Sequence, residues 1–494
     1  MRRRTALLVA VLALCAAAAG GCGGGSSDQA EAPAGSVEMR VMTFNIWYGG
    51  VSVDFGQVAD AIRAADADIV GVQEPEGDLQ RLADAAGLPY VDESMHLISR
   101  YPLFSVERDG VRFAYAEVAR DGVVAVENVH LPCCPYGPNP VKAGKPAADV
   151  LEFERHTRLA AVEPYLKPLA GLAADGVPVF MTGDFNSPSH LDWTDEAAEA
   201  RDLPYSLEWP ASKALADAGF RDSYRDVHPD PVARPGLTWT PGTPPPLIKP
   251  AETLDRIDWV TVKGPATTLA SRLVGEPGGP DVDIGVPWGS DHRSVASTFE
   301  VAAAPAPPLA HAEPRVVRRG DPVLLRYIGA RGTAKRIGIL PAGGGRPLVS
   351  LPIADTSDHR AAYFGTAGLR PGAYRAGLLT HGRLLASSRF WVLGRHEGPR
   401  IRTSRRVYRP GQPVGLRWSG MPGNKYDWVG IYRATRPLDL YGYYGFSYLG
   451  ALPAGRLSMT SADTGRLAPG RYVAGLFLDD GYALLARTSF RVKR

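Results

Sequence analysis

The chain has 494 residues, of which 45% are hydrophobic and 22% charged, the make-up of a soluble globular protein of about three domains. No apolar run reaches the roughly 18 residues of a membrane-spanning helix, so a multi-pass membrane protein is excluded, and 4 cysteines are too few for a disulfide scaffold. The net charge of +3 joins two unlike halves: residues 1–311 hold 25 basic and 42 acidic side chains, whereas residues 312–494 hold 30 and 10.

The chain opens on Arg2, Arg3 and Arg4, then an apolar run to Ala19 and the small residues Gly20 and Gly21 before Cys22. This is a secretory signal layout. Ala19-Gly20-Gly21-Cys22 resembles a bacterial lipobox, which implies lipidation of Cys22, with residues 1–22 as the signal peptide. Residues 23–36 read as a flexible Gly/Ser/Ala tether. The expected location is extracytoplasmic, on the outer face of a bacterial cell membrane. The mature fold then keeps Cys133 and Cys134, adjacent thiols for which a vicinal disulfide is favoured over free thiols in an oxidising compartment.

Residues 37–300 alternate short apolar strands with helical stretches. Strands are expected at Met39–Trp47, Asp68–Val72, Val123–Val129 and Val179–Thr182. Val58, Ile62 and Ala65 recur at helical spacing in Phe55–Ala65, and Asp149–Glu163 reads as a helix stopped by Pro164. Residues 301–311 form a Pro/Ala linker. Beyond it, short strands broken by Gly and Pro turns predict β-sandwiches. They come as a duplication: Leu369-Arg370-Pro371-Gly372-Ala373-Tyr374 recurs as Leu467-Ala468-Pro469-Gly470-Arg471-Tyr472. Two immunoglobulin-like sandwiches, 312–396 and 397–494, are expected.

The chemistry-bearing residues stand at strand ends in the acidic zone: Asn45, Glu74, His130, Asp184, Asn186, Asp258, Asp291 and His292. Loops at strand ends are common mounts for reactive groups. The ordered motifs Thr43-Phe44-Asn45, Val72-Gln73-Glu74, Asn128-Val129-His130, Gly183-Asp184-Phe185-Asn186, Arg256-Ile257-Asp258 and Ser290-Asp291-His292 resemble those of the endonuclease/exonuclease/phosphatase superfamily. The resemblance spans about residues 39–300. It implies an α/β (α+β) four-layer, two-sheet sandwich with the active site at one end.

The same resemblance implies a metal-dependent phosphoric ester hydrolase. Glu74 would be the main metal ligand, with Asn45 and Asp291 beside it, and oxygen donors suit Mg²⁺, with Mn²⁺ as a substitute. His292 would take the proton of the attacking water, oriented by Asp258. Asp184 would position that water, Asn186 would donate to a phosphate oxygen, and His130 would stand near the leaving group. His130 also argues against the apurinic-endonuclease branch, which has tyrosine there.

The substrate is less legible. Residues 37–300 carry 22 basic and 40 acidic side chains, which disfavours tight duplex binding by this zone. The basic half points to an anionic surface: lipid, wall polymer or nucleic acid. A surface-anchored, monomeric phosphodiesterase or phosphatase is the primary expectation. Within that class the alternatives are an extracellular nuclease and a sphingomyelinase-like phospholipase C. Outside it stands a non-catalytic envelope-binding lipoprotein with a degenerate hydrolase domain.

Overall fold

The structure, a computed structural model, describes residues 36–240, 253–329, 335–353, 360–439 and 442–494. The expected signal peptide and Cys22 lie outside these residues.

Residues from Ser36 to Ala302 build two facing sheets. The first runs Val282–Gly285, Ala266–Gly275, Ser294–Ala302, Ser36–Asn45, Ile69–Gln73, Leu97–Ser99, Tyr90–Asp92. The second has Gly122–His130, Val179–Asp184 and Asp258–Lys263 at its centre. Side chains alternate across a strand, and each sheet therefore feeds two cores. Val41, Val126, Phe180, Val260 and Phe299 fill the space between the sheets. Met42, Phe44, Val70 and Val72 pack outward against Val58, Ile62, Leu79 and Leu82 of the helices Phe55–Ala65 and Leu79–Ala86. On the other side Val179 and Met181 meet Val162, Leu169 and Leu172 of the helix Ala160–Ala174. Helix, sheet, sheet, helix is the four-layer order expected.

A polar seam ties the sheets together beneath one end. Gln73 Nε2 donates to Asn128 Oδ1 at 2.6 Å, and Asn128 Nδ2 donates to the carbonyls of Val72 and His96 at 2.9 and 3.1 Å. Gly71 makes this approach feasible: a Cβ there would stand 2.0 Å from Thr182 Oγ1.

Pro164 does not stop its helix. Ala147–Glu154 leads through a wider π turn, Arg155–Leu159, into Ala160–Ala174, which contains both Pro164 and Pro168. Each proline removes one helix donor. The two are four residues apart and avoid the buried face formed by Val162, Leu169 and Leu172, so water can meet the released carbonyls. Residues 301–311 also differ from the expected linker. Ala304–Pro305 pairs with the strand Gly122–His130, and Leu309–Glu313 is already a strand of the next sheet. Their small and apolar residues Ala304, Leu309 and Ala310 are buried, which explains why the segment is fixed.

The two following units have the same strand order. In the first, Leu309–Glu313, Pro322–Ile328 and Ala361–Gly365 face a five-stranded sheet centred on Gly372–Thr380 and Arg383–Leu393. In the second, Arg400–Thr403, Val414–Ser419 and Gly455–Met459 face a sheet centred on Gly470–Phe477 and Leu484–Val492. The duplication extends to the sheet register. Gly338 opposes Gly377 in one sheet, and Gly430 opposes Gly475 in the other.

Both sandwiches pack on the N-terminal layers. Arg360 pairs with Glu117 and Asp121 from the first sandwich. From the second, Lys425 Nζ donates to Glu127 Oε1 at 2.8 Å and to the carbonyl of Asn128. Asp479 Oδ1 meets His96 Nε2 at 2.6 Å in a fully buried contact.

Candidate active site

Strand direction gathers the polar residues at one edge. Ser36–Asn45 and Ile69–Gln73 are parallel, as are Gly122–His130 and Val179–Asp184, so Asn45, Glu74, His130 and Asp184 emerge together. Asp258–Lys263 runs antiparallel to Val179–Asp184 with Asp258 opposite Asp184, and His292 precedes Ser294–Ala302, antiparallel to Ser36–Asn45. All eight residues expected from the sequence are thereby brought to this end of the two sheets.

Asp184 is the hub. Asn45 Nδ2 donates to Asp184 Oδ2 at 3.0 Å and to Glu74 Oε1 at 3.1 Å. His292 Nε2 stands 3.7 Å from the same Asp184 oxygen, while its Nδ1 is held by Asp258 Oδ2 at 2.9 Å. His130 Nε2 lies 3.6 Å from that oxygen from another side. Glu74 Oε2 accepts from the backbone N–H of Tyr48 at 3.0 Å. The Ser290 hydroxyl donates to the carbonyl of Asn45 and accepts from the His292 N–H, which locks the segment entering the histidine.

The electrostatics follow from crowding. Burial would lower the His292 imidazolium, but Asp258 and Asp184 beside it outweigh burial and hold it well above the usual range. His130 behaves likewise: burial opposes its charge, yet the hydrogen bond to Asp480 and the nearby Asp184 carry it to about 9. Burial raises Asp184, and it raises Asp291 to about 7, helped there by the charge of Glu74. Glu76 rises to about 7 through burial and the neighbouring Glu74 and Asp480. Several carboxyl groups thus share a space with too little positive charge to offset them.

That imbalance and the donor chemistry fit a hard divalent cation. Asp184, Asp258 and His292 form a cluster whose ligating atoms lie within 4.8 Å of one another, and Asp258 Oδ1 is buried with no hydrogen-bond partner among the described residues. The Asp258–His292 hydrogen bond already occupies the imidazole nitrogen Nδ1, however. Glu74, Asn45 and Asp291 also carry side-chain oxygens at this end of the sheets, and none of them takes part in that hydrogen bond.

A cavity of about 430 Å³ opens over the site. Glu74, His130, Asp184, Asn186, Asp291 and His292 line it, with Asn45 and Asp258 completely buried behind them. Asn186 reaches the cavity, but its Nδ2 donates to the carbonyl of Leu131 at 3.0 Å, so its amide also braces the loop. Cys133 and Cys134 lie at the rim with no disulfide between them, unlike the vicinal disulfide expected. Trp193 and Trp288 are buried packing residues. Trp193 donates to Asp255, and Trp288 donates to the carbonyl of His292 at 2.9 Å.

Tyr48, Glu76, Tyr136, Trp239, Asp480 and Tyr482 line the cavity as well, and the motifs do not identify them. Tyr136 belongs to the proline-rich loop after His130. For Asp480 a signal existed: the turn Leu478-Asp479-Asp480-Gly481 replaces Thr380-His381-Gly382 of the first repeat, placing two adjacent acids in a strongly basic half. Left-handed backbone recurs in the cavity lining and beside it. Trp47, Tyr48, Glu74, Glu76, Asn186, Asp479 and Asp480 all have positive φ, a costly conformation for side chains that concentrates at functional sites.

The sequence profile of the Endonuclease/Exonuclease/phosphatase family matches residues 42–292. An uncharacterized protein of Caenorhabditis elegans, F14F9.5, is 28% identical over 256 residues, covering 46% of this chain and 79% of that protein. Among solved structures, murine CEACAM1b is matched at 12% identity over 37% of this chain and 95% of its own, with a TM-score of 0.16. The Dpr2 Ig1-Ig2 complex with DIP-Theta Ig1-Ig3 is matched at 12% identity over 45% and 88%, with a TM-score of 0.19. Scores this low carry no structural argument.

Proposed function

The chain belongs to the Endonuclease/Exonuclease/phosphatase family, and from that premise we propose that it hydrolyses a phosphate ester with the help of Mg²⁺. The observation that carries this reading is the convergence of His292, His130 and Asn45 on a single oxygen of Asp184 at the floor of one cavity.

Glu74, Asn45 and Asp291 are the residues that would hold the cation, which supplies positive charge to offset that of the phosphate and the developing oxyanion. The protein's own groups do the rest. Asp184 fixes a water beside the phosphorus. His292, otherwise kept protonated by the carboxylates around it, would be freed by a cation's offsetting charge to receive the proton of that water at Nε2, while Asp258 at Nδ1 sets the tautomer and favours the imidazolium that results. His130, charged near neutral pH, presents Nε2 to the leaving oxygen or to a phosphate oxygen. The buried position of these groups strengthens each charge interaction relative to water.

The acidic character of residues 37–300 supports a small phosphodiester or monoester over a tightly held duplex. A panel of DNA, RNA, sphingomyelin, phosphoinositides and nucleotides, each with Mg²⁺ and with EDTA, tests the reading and names the substrate. Metal-independent silence on every member would reject it.

Attachment is proposed at two places. Lipidation of Cys22 would anchor the chain outside a bacterial membrane, on the strength of the sequence alone. The basic half offers an anion-binding groove of about 950 Å³ whose lining includes Arg402, Arg406, Arg471, Arg491 and Lys493 and no acidic residue. The shared strand order and the repeated sequence support an immunoglobulin-like assignment for both sandwiches.

A further inference from the structure

Asp480 belongs to the second sandwich, about 190 residues beyond His292 in the chain, yet its carboxylate lines the active-site cavity. One oxygen meets His130 Nδ1 at 3.0 Å, and the other accepts from the Tyr448 hydroxyl at 2.7 Å. Its backbone N–H donates to the carbonyl of Tyr426 at 3.0 Å. Tyr426 in turn accepts, at its hydroxyl, the backbone N–H of His130 at 2.9 Å. The second sandwich therefore grips both the main chain and the ring of this histidine.

The arrangement repeats one already present in the site. Asp258 holds His292 through Nδ1 and leaves Nε2 facing Asp184 Oδ2 at 3.7 Å. Asp480 holds His130 through Nδ1 and leaves Nε2 facing the same oxygen at 3.6 Å. A carboxylate at one imidazole nitrogen fixes the ring's tautomer and rotation, and therefore what the other nitrogen can do. The first pair lies wholly within the N-terminal layers, whereas the second is completed by another domain.

Simple glue between domains does not account for this placement. Lys425 and Asp479 already join the surfaces through Glu127 and His96 away from the cavity. Asp480 instead sits in left-handed backbone at φ 68°, directly after Asp479 at φ 45°. The next residue, Gly481, passes so close to Glu76 that a Cβ would fall 2.7 Å from its carboxyl carbon. A turn with two successive residues in left-handed backbone delivers one carboxylate to one site histidine.

We propose that Asp480 is a positioning residue of the phosphoesterase site, supplied by the C-terminal sandwich to orient His130, so that a complete active site requires both domains. The proposal rests on the phosphoesterase reading for its kinetic consequence, but the orientation of His130 can be measured without turnover.

The test uses the full chain with three variants: Asp480→Asn, Asp480→Glu and Lys425→Met. With bis(p-nitrophenyl) phosphate and Mg²⁺, Asp480→Asn should lower kcat about 10²-fold, the scale of a misdirected proton-transfer group, with KM changed less than about threefold. Asp480→Glu should recover part of that loss. Lys425→Met should lower the melting temperature while leaving kcat near that of the parent, separating interface stability from positioning. Side-chain ¹⁵N spectra of histidine-labelled protein should show the His130 resonances moved in Asp480→Asn and unmoved in Lys425→Met. A parent-like kcat in Asp480→Asn, or unmoved His130 resonances, would overturn the proposal. If the parent enzyme has no turnover, the phosphoesterase reading fails, and the spectra alone decide whether Asp480 orients His130.

Discussion

Three nitrogen atoms face Asp184 Oδ2, from Asn45, His292 and His130, and each depends on a different partner to stay there. Asn45 is shared with Glu74, His292 is held by Asp258 and His130 by Asp480. Replacement of one partner should therefore leave the fold intact and misplace one group. Glu74 is where the metal question can be answered without chemistry. A cation bound only to the folded state stabilises it by about 2.7 kcal/mol at a hundred times its dissociation constant. Saturating Mg²⁺ should raise the melting temperature of the parent and of Asp258→Asn, and not that of Glu74→Ala. A shift retained in Glu74→Ala and lost in Asp258→Asn would move the cation to the Asp184, Asp258 and His292 cluster.

At the scale of elements, the strand His311 occupies replaces the expected linker and makes the junction sensitive to acid. His311 is buried against Phe104 in Leu309–Glu313, and burial lowers its pKa below the ordinary 6.5. Asp92 and Glu313 favour its charge, while Arg315 and Arg326 oppose it. A histidine with a depressed folded pKa contributes stability above its unfolded value, lost as pH falls through the folded one. Urea unfolding should thus show stability declining as pH falls below about 6.5, and His311→Phe should lack that part of the decline. Identical slopes in both proteins would refute the assignment.

The strands themselves were legible because β-branched runs ended at turn residues. Phe55–Ala65 was legible from its apolar spacing, and the structure adds the Asp54 cap, which accepts from the Gly56 N–H and fixes the start. The helix through Pro164 was not, because propensity says nothing about which face meets solvent. Residues 301–311 misled for a related reason: alanine and proline suit a linker and also pack closely at a sheet edge.

At the scale of the whole molecule, the opposed charges of the two halves do not separate the chain into a catalytic part and a spacer. The motifs marked eight residues that strand ends bring together, through parallel pairing for Asn45, Glu74, His130 and Asp184 and antiparallel pairing for Asp258 and His292. They could not locate Asp480, whose contribution depends on how a distant sandwich docks. The +20 balance of residues 312–494 still leaves a groove with five cations facing solvent. Attachment through it and through Cys22 should be separable. Glutamate at Arg402, Arg406, Arg471 and Arg491 should lower the salt needed to elute the protein from phosphocellulose, and Cys22→Ala should release it from the expressing cells. Unchanged elution or retained membrane binding would remove the corresponding attachment.

On the proposed reading, His292, aimed by Asp258 at the Asp184 hub, drives metal-assisted hydrolysis of a phosphate ester. The direct measurement is turnover of bis(p-nitrophenyl) phosphate by the full chain and by His292→Ala, each with Mg²⁺ and with EDTA. Expected are turnover by the parent with Mg²⁺, its loss in EDTA, and a rate at least about 10³-fold lower in a folded His292→Ala. Parent-like turnover by His292→Ala, or turnover indifferent to EDTA, would contradict it.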